Sequence, residues 1–185
     1  LFFDGSGAPS ILADSGDTAG GPAAQLSVAL WVQPAPGGGA TQIIHAHGDG
    51  QRGLVLAIAR ERLVAGLWQE NTGAWLDLGP AITGLWQHVA LVYDGQARSL
   101  RGFLSGREVA SSTQNLPAQL GPLAGAAALG GATNPTRLAP EQPVPAGSFA
   151  YQGGLDDFRR FNRAIDPTEV SLLALRRPTA AIGKN

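Results

Sequence analysis

Three groups of side chains in this sequence could do chemistry: carboxylates, imidazoles and indoles. Asp156 and Asp157 stand side by side and are followed closely by Arg159 and Arg160. Taken alone they read as a solvated pair, with one carboxylate meeting an arginine. His45-Ala46-His47 sets two imidazoles on one face of an extended segment. With a third ligand nearby they could hold a transition metal, although histidines at strand ends are also common structural residues. The run Trp68-Gln69-Glu70-Asn71-Thr72-Gly73-Ala74-Trp75 places an indole on either side of a polar turn. Trp68 and Trp75 could face each other across a hairpin and present rings to the apolar side of a pyranose. Glu70 and Asn71 at the tip would then meet its hydroxyls. The same arrangement also serves simply to stabilise paired strands.

Hydrolytic chemistry has less support. A retaining glycosidase needs two carboxyl groups about 5 Å apart. The glutamates are Glu61, Glu70, Glu108, Glu141 and Glu169, and none lies within four residues of another. No nucleophile elbow, phosphate loop or Ser/His/Asp signature is present. Asp14, Asp17 and Asp49 lie in glycine-rich loops and read as turn formers, outside any EF-hand pattern. The expectation is a chain that is not an enzyme.

These groups must be held by a fold, and composition bounds it. A chain of 185 residues with 44% hydrophobic content is the size of one domain, and no linker divides it. A domain of this length buries roughly 70% of its unfolded surface, so it needs no staples. The 26 glycines and 13 prolines mark a turn-rich, all-β pattern. A net charge of −1 leaves no basic footprint for nucleic acid or anionic membrane. With no cysteine, disulfides and thiolate metal sites are excluded. No apolar run approaches the length of a membrane span, and we expect a domain cut from a longer chain.

Alternation of apolar residues predicts strands at Leu1–Phe3, Leu26–Gln33, Gln42–His47, Leu54–Ala59, Leu63–Trp68 and Ala74–Leu78. Further strands are predicted at Trp86–Tyr93, Leu100–Leu104, Glu108–Ser111 and Ala126–Gly131. Ser105-Gly106 suits a tight turn needing positive φ. Gly7 to Ala24 and the proline-rich stretch from Thr133 to Gly147 read as loops without a period. One helix is predicted from Pro167 to about Arg176. Asp166 is its N-cap, Glu169 closes a capping box, and Ile165 and Val170 form a hydrophobic staple. Strands at roughly ten-residue spacing point to a β-sandwich or jelly roll.

Several segments resemble a known family in its own order. Phe3-Asp4-Gly5 resembles an opening F-D-G, and Leu26 to Pro34 resembles a strand ending in W-V-K-P. Gly84-Leu85-Trp86-Gln87-His88-Val89-Ala90-Leu91-Val92-Tyr93-Asp94-Gly95 resembles G-x-W-H-H-V-A-v-t-Y-D-G. Leu104 to Val109 and Leu129-Gly130-Gly131 resemble its later hairpin and its I-G-G. Gly154 to Ile165 resembles the closing G-x-I-D-E-V-R-I-Y-N-R-A-L. The family is that of LamG-like jellyroll domains, in the concanavalin A-like lectin and glucanase superfamily.

The resemblance implies an all-β, two-sheet antiparallel jelly-roll sandwich over residues 1–185, with a short C-terminal helix. It also implies a structural calcium ion (Ca2+) tying the chain ends together. Asp4 and Asp156 would be its carboxylates, with carbonyls near Gly5. Trp31 and Trp86 match structural tryptophans and are assigned to the core, and His88 to a core or hydrogen-bonding role. The implied function is non-catalytic carbohydrate binding or adhesion by a monomeric module in a secreted or surface bacterial protein. The alternative is an architectural or protein-binding domain with no sugar ligand.

Overall fold

The computed structural model of this chain describes residues 1–6, 9–12, 22–140 and 142–178. Asp14, Asp17 and Glu141 lie outside the described residues. Among the described residues, fourteen strands and one helix follow in order. They are β1 (Phe2–Asp4), β2 (Ser10–Ile11), β3 (Gln25–Pro34), β4 (Thr41–Gly48) and β5 (Arg52–Ala59). Then come β6 (Arg62–Gln69), β7 (Thr72–Pro80), β8 (Gln87–Asp94), β9 (Ser99–Leu104) and β10 (Arg107–Ser112). The chain closes with β11 (Ala128–Leu129), β12 (Thr136–Ala139), β13 (Gln142–Val144), β14 (Gln152–Phe161) and α1 (Pro167–Ala174).

The strands form two six-stranded antiparallel sheets. Sheet A has the order β1-β14-β3-β8-β9-β10 and sheet B the order β2-β11-β4-β5-β6-β7. This is the jelly-roll sandwich expected from the sequence. Its logic is visible in β3, where side chains alternate between faces. Leu26, Val28, Leu30 and Val32 point into the core between the sheets, where they meet Leu54, Leu56, Leu67 and Leu91. Burying each such side chain stabilises the fold by about 1.5–3 kcal/mol.

The opposite faces of both sheets are covered in part as well. On sheet A, Ile165 just ahead of α1 and Val170 within it pack onto Ala29, Ala90, Val92 and Phe103. Asp166 caps the helix as expected, its side chain accepting from Glu169 N at 2.9 Å while the Glu169 carboxylate accepts from Asp166 N. On sheet B, the hairpin of β12 and β13 lays Leu138 and Val144 over Ile43, Val55, Ala57 and Trp68. The stretch from Thr133 to Gly147, expected to be a loop, therefore contains a packed hairpin. Two short strands with one or two buried side chains each are too brief to display a period. Strand β2 escaped notice for the same reason, and β11 keeps only two residues of the run predicted from Ala126 to Gly131. No helix among the described residues is long and apolar enough to cross a membrane.

Candidate functional site

The β6–β7 hairpin carries the two indoles. Trp68 pairs with Gly73 and Trp75 with Gly66, so both rings stand diagonally on the outer face of sheet B. They stack instead of facing each other across a slot, with centroids 6.4 Å apart and planes within 14°. Trp68 is 1% exposed, and its Nε1 donates to the Asp49 carbonyl at 3.2 Å. Covered by the β12–β13 hairpin, Trp68 has no free ring face, which corrects its expected role as a sugar platform. Trp75 remains partly exposed, its indole lying over Gly66. A Cβ on Gly66 would come within 2.5 Å of the Trp75 Nε1, so glycine is what lets the ring lie flat there.

Trp75 has polar company that the sequence reading missed. Asp77 lies two residues along β7, on the same face, and forms an ion pair with Arg62. Their side chains are 52% and 50% exposed. The hydrogen bond from Arg62 holds the Asp77 carboxyl below the usual aspartate range. Strand alternation alone would have placed Asp77 beside Trp75. Glu70 and Asn71 are exposed at the turn, at the other end of β7. Glu70 adopts φ 54°, and its carbonyl accepts from Arg137 Nη1 at 3.0 Å. Arg137 Nε also donates to the Gly50 carbonyl at 3.0 Å, which ties two turns together.

The carboxylates assigned to calcium do not converge. Register pairs Asp4 with Gln152, and Asp156 lies four residues further along β14, opposite Trp31. At about 3.3 Å per residue, the two are separated by about 13 Å along the strand. One cation coordinates oxygens at about 2.3–2.6 Å, so these two residues do not fit a shared ion. Each carboxylate instead serves its own backbone. Asp4 Oδ1 accepts from Ser6 N at 2.8 Å, next to Gly5 at φ 81°, and hydrogen bonding from the Ser6 side chain, then from its backbone, lowers the Asp4 pKa. Asp156 Oδ1 accepts from Asp157 N at 2.9 Å, and Asp157 pairs with Arg159.

The histidines all point into buried surroundings. His45 Nδ1 lies 2.8 Å from the Ala128 carbonyl, which can only accept, so Nδ1 carries the proton. Its ring sits 4.9 Å from that of Phe158, and burial pushes its pKa down to about 3. Arg160 Nη1 approaches His47 Nδ1 to 3.0 Å, and as the guanidinium only donates, Nδ1 accepts. Among the described residues, no three His, Cys, Asp or Glu side chains gather to hold a metal ion. His88 is 2% exposed beneath an edge-on Trp31 ring 5.4 Å away, and burial lowers its pKa to about 4. Trp31 is buried as expected. Trp86 is only partly buried, because its ring spreads over Gly154 on the outside of sheet A. Its assignment to the core is therefore corrected. A Cβ at position 154 would sit 2.7 Å from that ring.

Comparison with known proteins places this architecture. The concanavalin A-like lectin/glucanases superfamily profile matches residues 4–171. No curated protein matches the chain by sequence. Among solved structures, the CBM40 of the Ruminococcus gnavus IT-sialidase is 17% identical with a TM-score of 0.67. That alignment covers 94% of this chain and 95% of the other. The same CBM40 has been seen bound to α2,3- and α2,6-sialyllactose. The heptameric SAP-like pentraxin of Limulus polyphemus is 17% identical with a TM-score of 0.61, covering 90% and 80% of the two chains. The binding domain of botulinum neurotoxin serotype G is 14% identical with a TM-score of 0.65. That match covers 88% of this chain, which spans only 39% of the toxin chain.

Proposed function

The chain belongs to the laminin G-like family of the concanavalin A-like lectin/glucanases superfamily, and from that premise we propose that it is a non-catalytic carbohydrate-recognition module of a secreted or surface protein. The observation that carries this reading is Trp75. Its ring is partly exposed, backed by a buried second indole, and lies on the same strand face as an exposed carboxylate and its arginine. An indole face takes the apolar side of a pyranose, while Asp77 and Arg62 offer an acceptor and donors to its hydroxyls. A backed ring loses little freedom on binding, which favours affinity. The likeness to a CBM40 over nearly the whole of both chains supports a binding role. The reading calls for no calcium.

The test is a glycan array probed with the wild-type chain and with Trp75→Ala. Binding by the wild type that falls at least about tenfold in the variant supports the reading. Equal binding by both, or silence across the array, overturns it.

A second reading, docking of another protein domain, is favoured by one patch. Phe2, paired with Gly154 on the outer face of sheet A, is 76% exposed, and Leu85, next to Trp86 in sequence, is 57% exposed. An array that stays silent while Phe2→Ser and Leu85→Ser raise solubility would favour this reading.

A further inference from the structure

One end of the sandwich holds a cleft of about 540 Å³, within the range that takes a ligand. Three connections frame it: residues 35–40, the Arg60-Glu61 turn, and residues 81–86. They are tied to one another and to the strand ends by backbone hydrogen bonds. Arg60 N donates to the Ala40 carbonyl at 2.8 Å, Ala81 N to Glu61 at 2.9 Å, and Gly84 N to Pro34 at 2.8 Å.

Two buried glutamines brace the walls. Gln42 is 4% exposed, donates to the Gly39 carbonyl at 3.0 Å and accepts from Gln152 N at 2.8 Å. Gln87 is 5% exposed, donates to the Pro80 carbonyl at 3.0 Å and accepts from Ile82 N at 2.7 Å. Each carboxamide thus holds a loop in place from below. A cleft held this way needs little reordering to receive a ligand.

Its lining mixes polar and apolar surface and carries charge of one sign only. Pro34, Ala35, Ile58, Pro80 and Ala81 give apolar walls, and glycines from 37 to 39 keep one rim open. Glu61 is the single charged side chain among the described lining residues. It is held in an unusual way, because Arg60 and Glu61 have φ of 51° and 62°. A two-residue turn with both φ positive normally takes Asn-Gly, since a Cβ there is strained. Here that strain is retained with a carboxylate at the cleft.

We propose that this cleft binds the side chain of a lysine presented by a partner protein. The four-carbon stem lies against the proline and isoleucine walls, and the ammonium meets the Glu61 carboxylate. Trp75 is not among the residues lining this cleft, and the proposal does not depend on the glycan reading.

The test is amide NMR of the labelled chain titrated with Nα-acetyl-lysine methylamide, with its Nε-acetylated form as control. Saturable shifts at Gly37, Gly38, Gly39, Glu61 and Ala81 are expected with the charged probe and not with the control. Glu61→Gln, at an exposed position, should weaken the interaction about tenfold or more and keep the rest of the spectrum. Equal response to the acetylated probe, no response, or undiminished binding by Glu61→Gln overturns the proposal.

Discussion

Trp75 rests almost parallel on Trp68, yet only one of the two rings meets solvent. The pair therefore divides its labour, and substitutions should separate the two parts. Trp68→Ala removes a fully buried ring and is expected to cost about 3–5 kcal/mol of stability. Trp75→Ala should cost less and act chiefly on glycan binding. Gly66→Ala is expected to tilt the Trp75 ring, because the new Cβ falls within 2.5 Å of its Nε1. Denaturant unfolding and tryptophan fluorescence check these outcomes. A Trp68→Ala protein as stable as the wild type would contradict the assignment.

The pairing register makes Asp4 and Asp156 independent. In a double-mutant cycle with Asp4→Asn and Asp156→Asn, the shifts in thermal midpoint measured in calcium buffer should add. A shared ion would instead make the second substitution nearly silent once the first had been made. Coupling of that kind would require the two ends of β1 to meet, against the observed register.

Acid should unfold this protein earlier than its surface charges suggest. His45 and His88 are held neutral by burial, with pKa values near 3 and 4 in place of the ordinary 6.5. The unfolded chain takes up these protons first, so stability is complete above about pH 6.5 and falls below it. The loss continues towards pH 4 for His88 and towards pH 3 for His45, at up to about 1.4 kcal/mol per pH unit for each. Urea unfolding at pH 7.5 and 5.0 measures the loss, and imidazole NMR should show both rings untitrated at pH 5. Ordinary titration near pH 6.5 at either ring would refute the prediction.

The helix holds to sheet A chiefly by apolar contact. Ile165 is fully buried, and Ile165→Ala should cost about 2–5 kcal/mol. Asp166→Ala removes one capping bond and should cost about 1 kcal/mol. Thermal unfolding of the two variants gives the order directly, and a larger effect at Asp166 would reverse this account.

Much of the sandwich was legible because its information is local. The alternation of Leu26, Val28, Leu30 and Val32, the Ser105-Gly106 turn at φ 51° and 82°, and the cap at Asp166 each depend on neighbours in sequence. The candidate site was only half legible. The Trp68 and Trp75 hairpin could be read from spacing, and Asp77 could have been read from the same alternation. Nothing near Trp68 in sequence announces that Leu138 and Val144 will lie on top of it.

The sequence by itself thus determined which side chains share a strand face, where the chain turns and where its helix begins. These follow from backbone sterics and hydrogen bonds that span a few residues. The tertiary structure alone decided which of those faces water would reach. A strand has two faces, and what covers the outer one arrives from a distant segment: α1 over Ala29 and Ala90, the β12–β13 hairpin over Trp68. It also decided that Trp86 spreads over Gly154 at the surface and that Asp4 meets Gln152 and not Asp156. Burial is a property of packing between remote segments, so it is settled only when they meet.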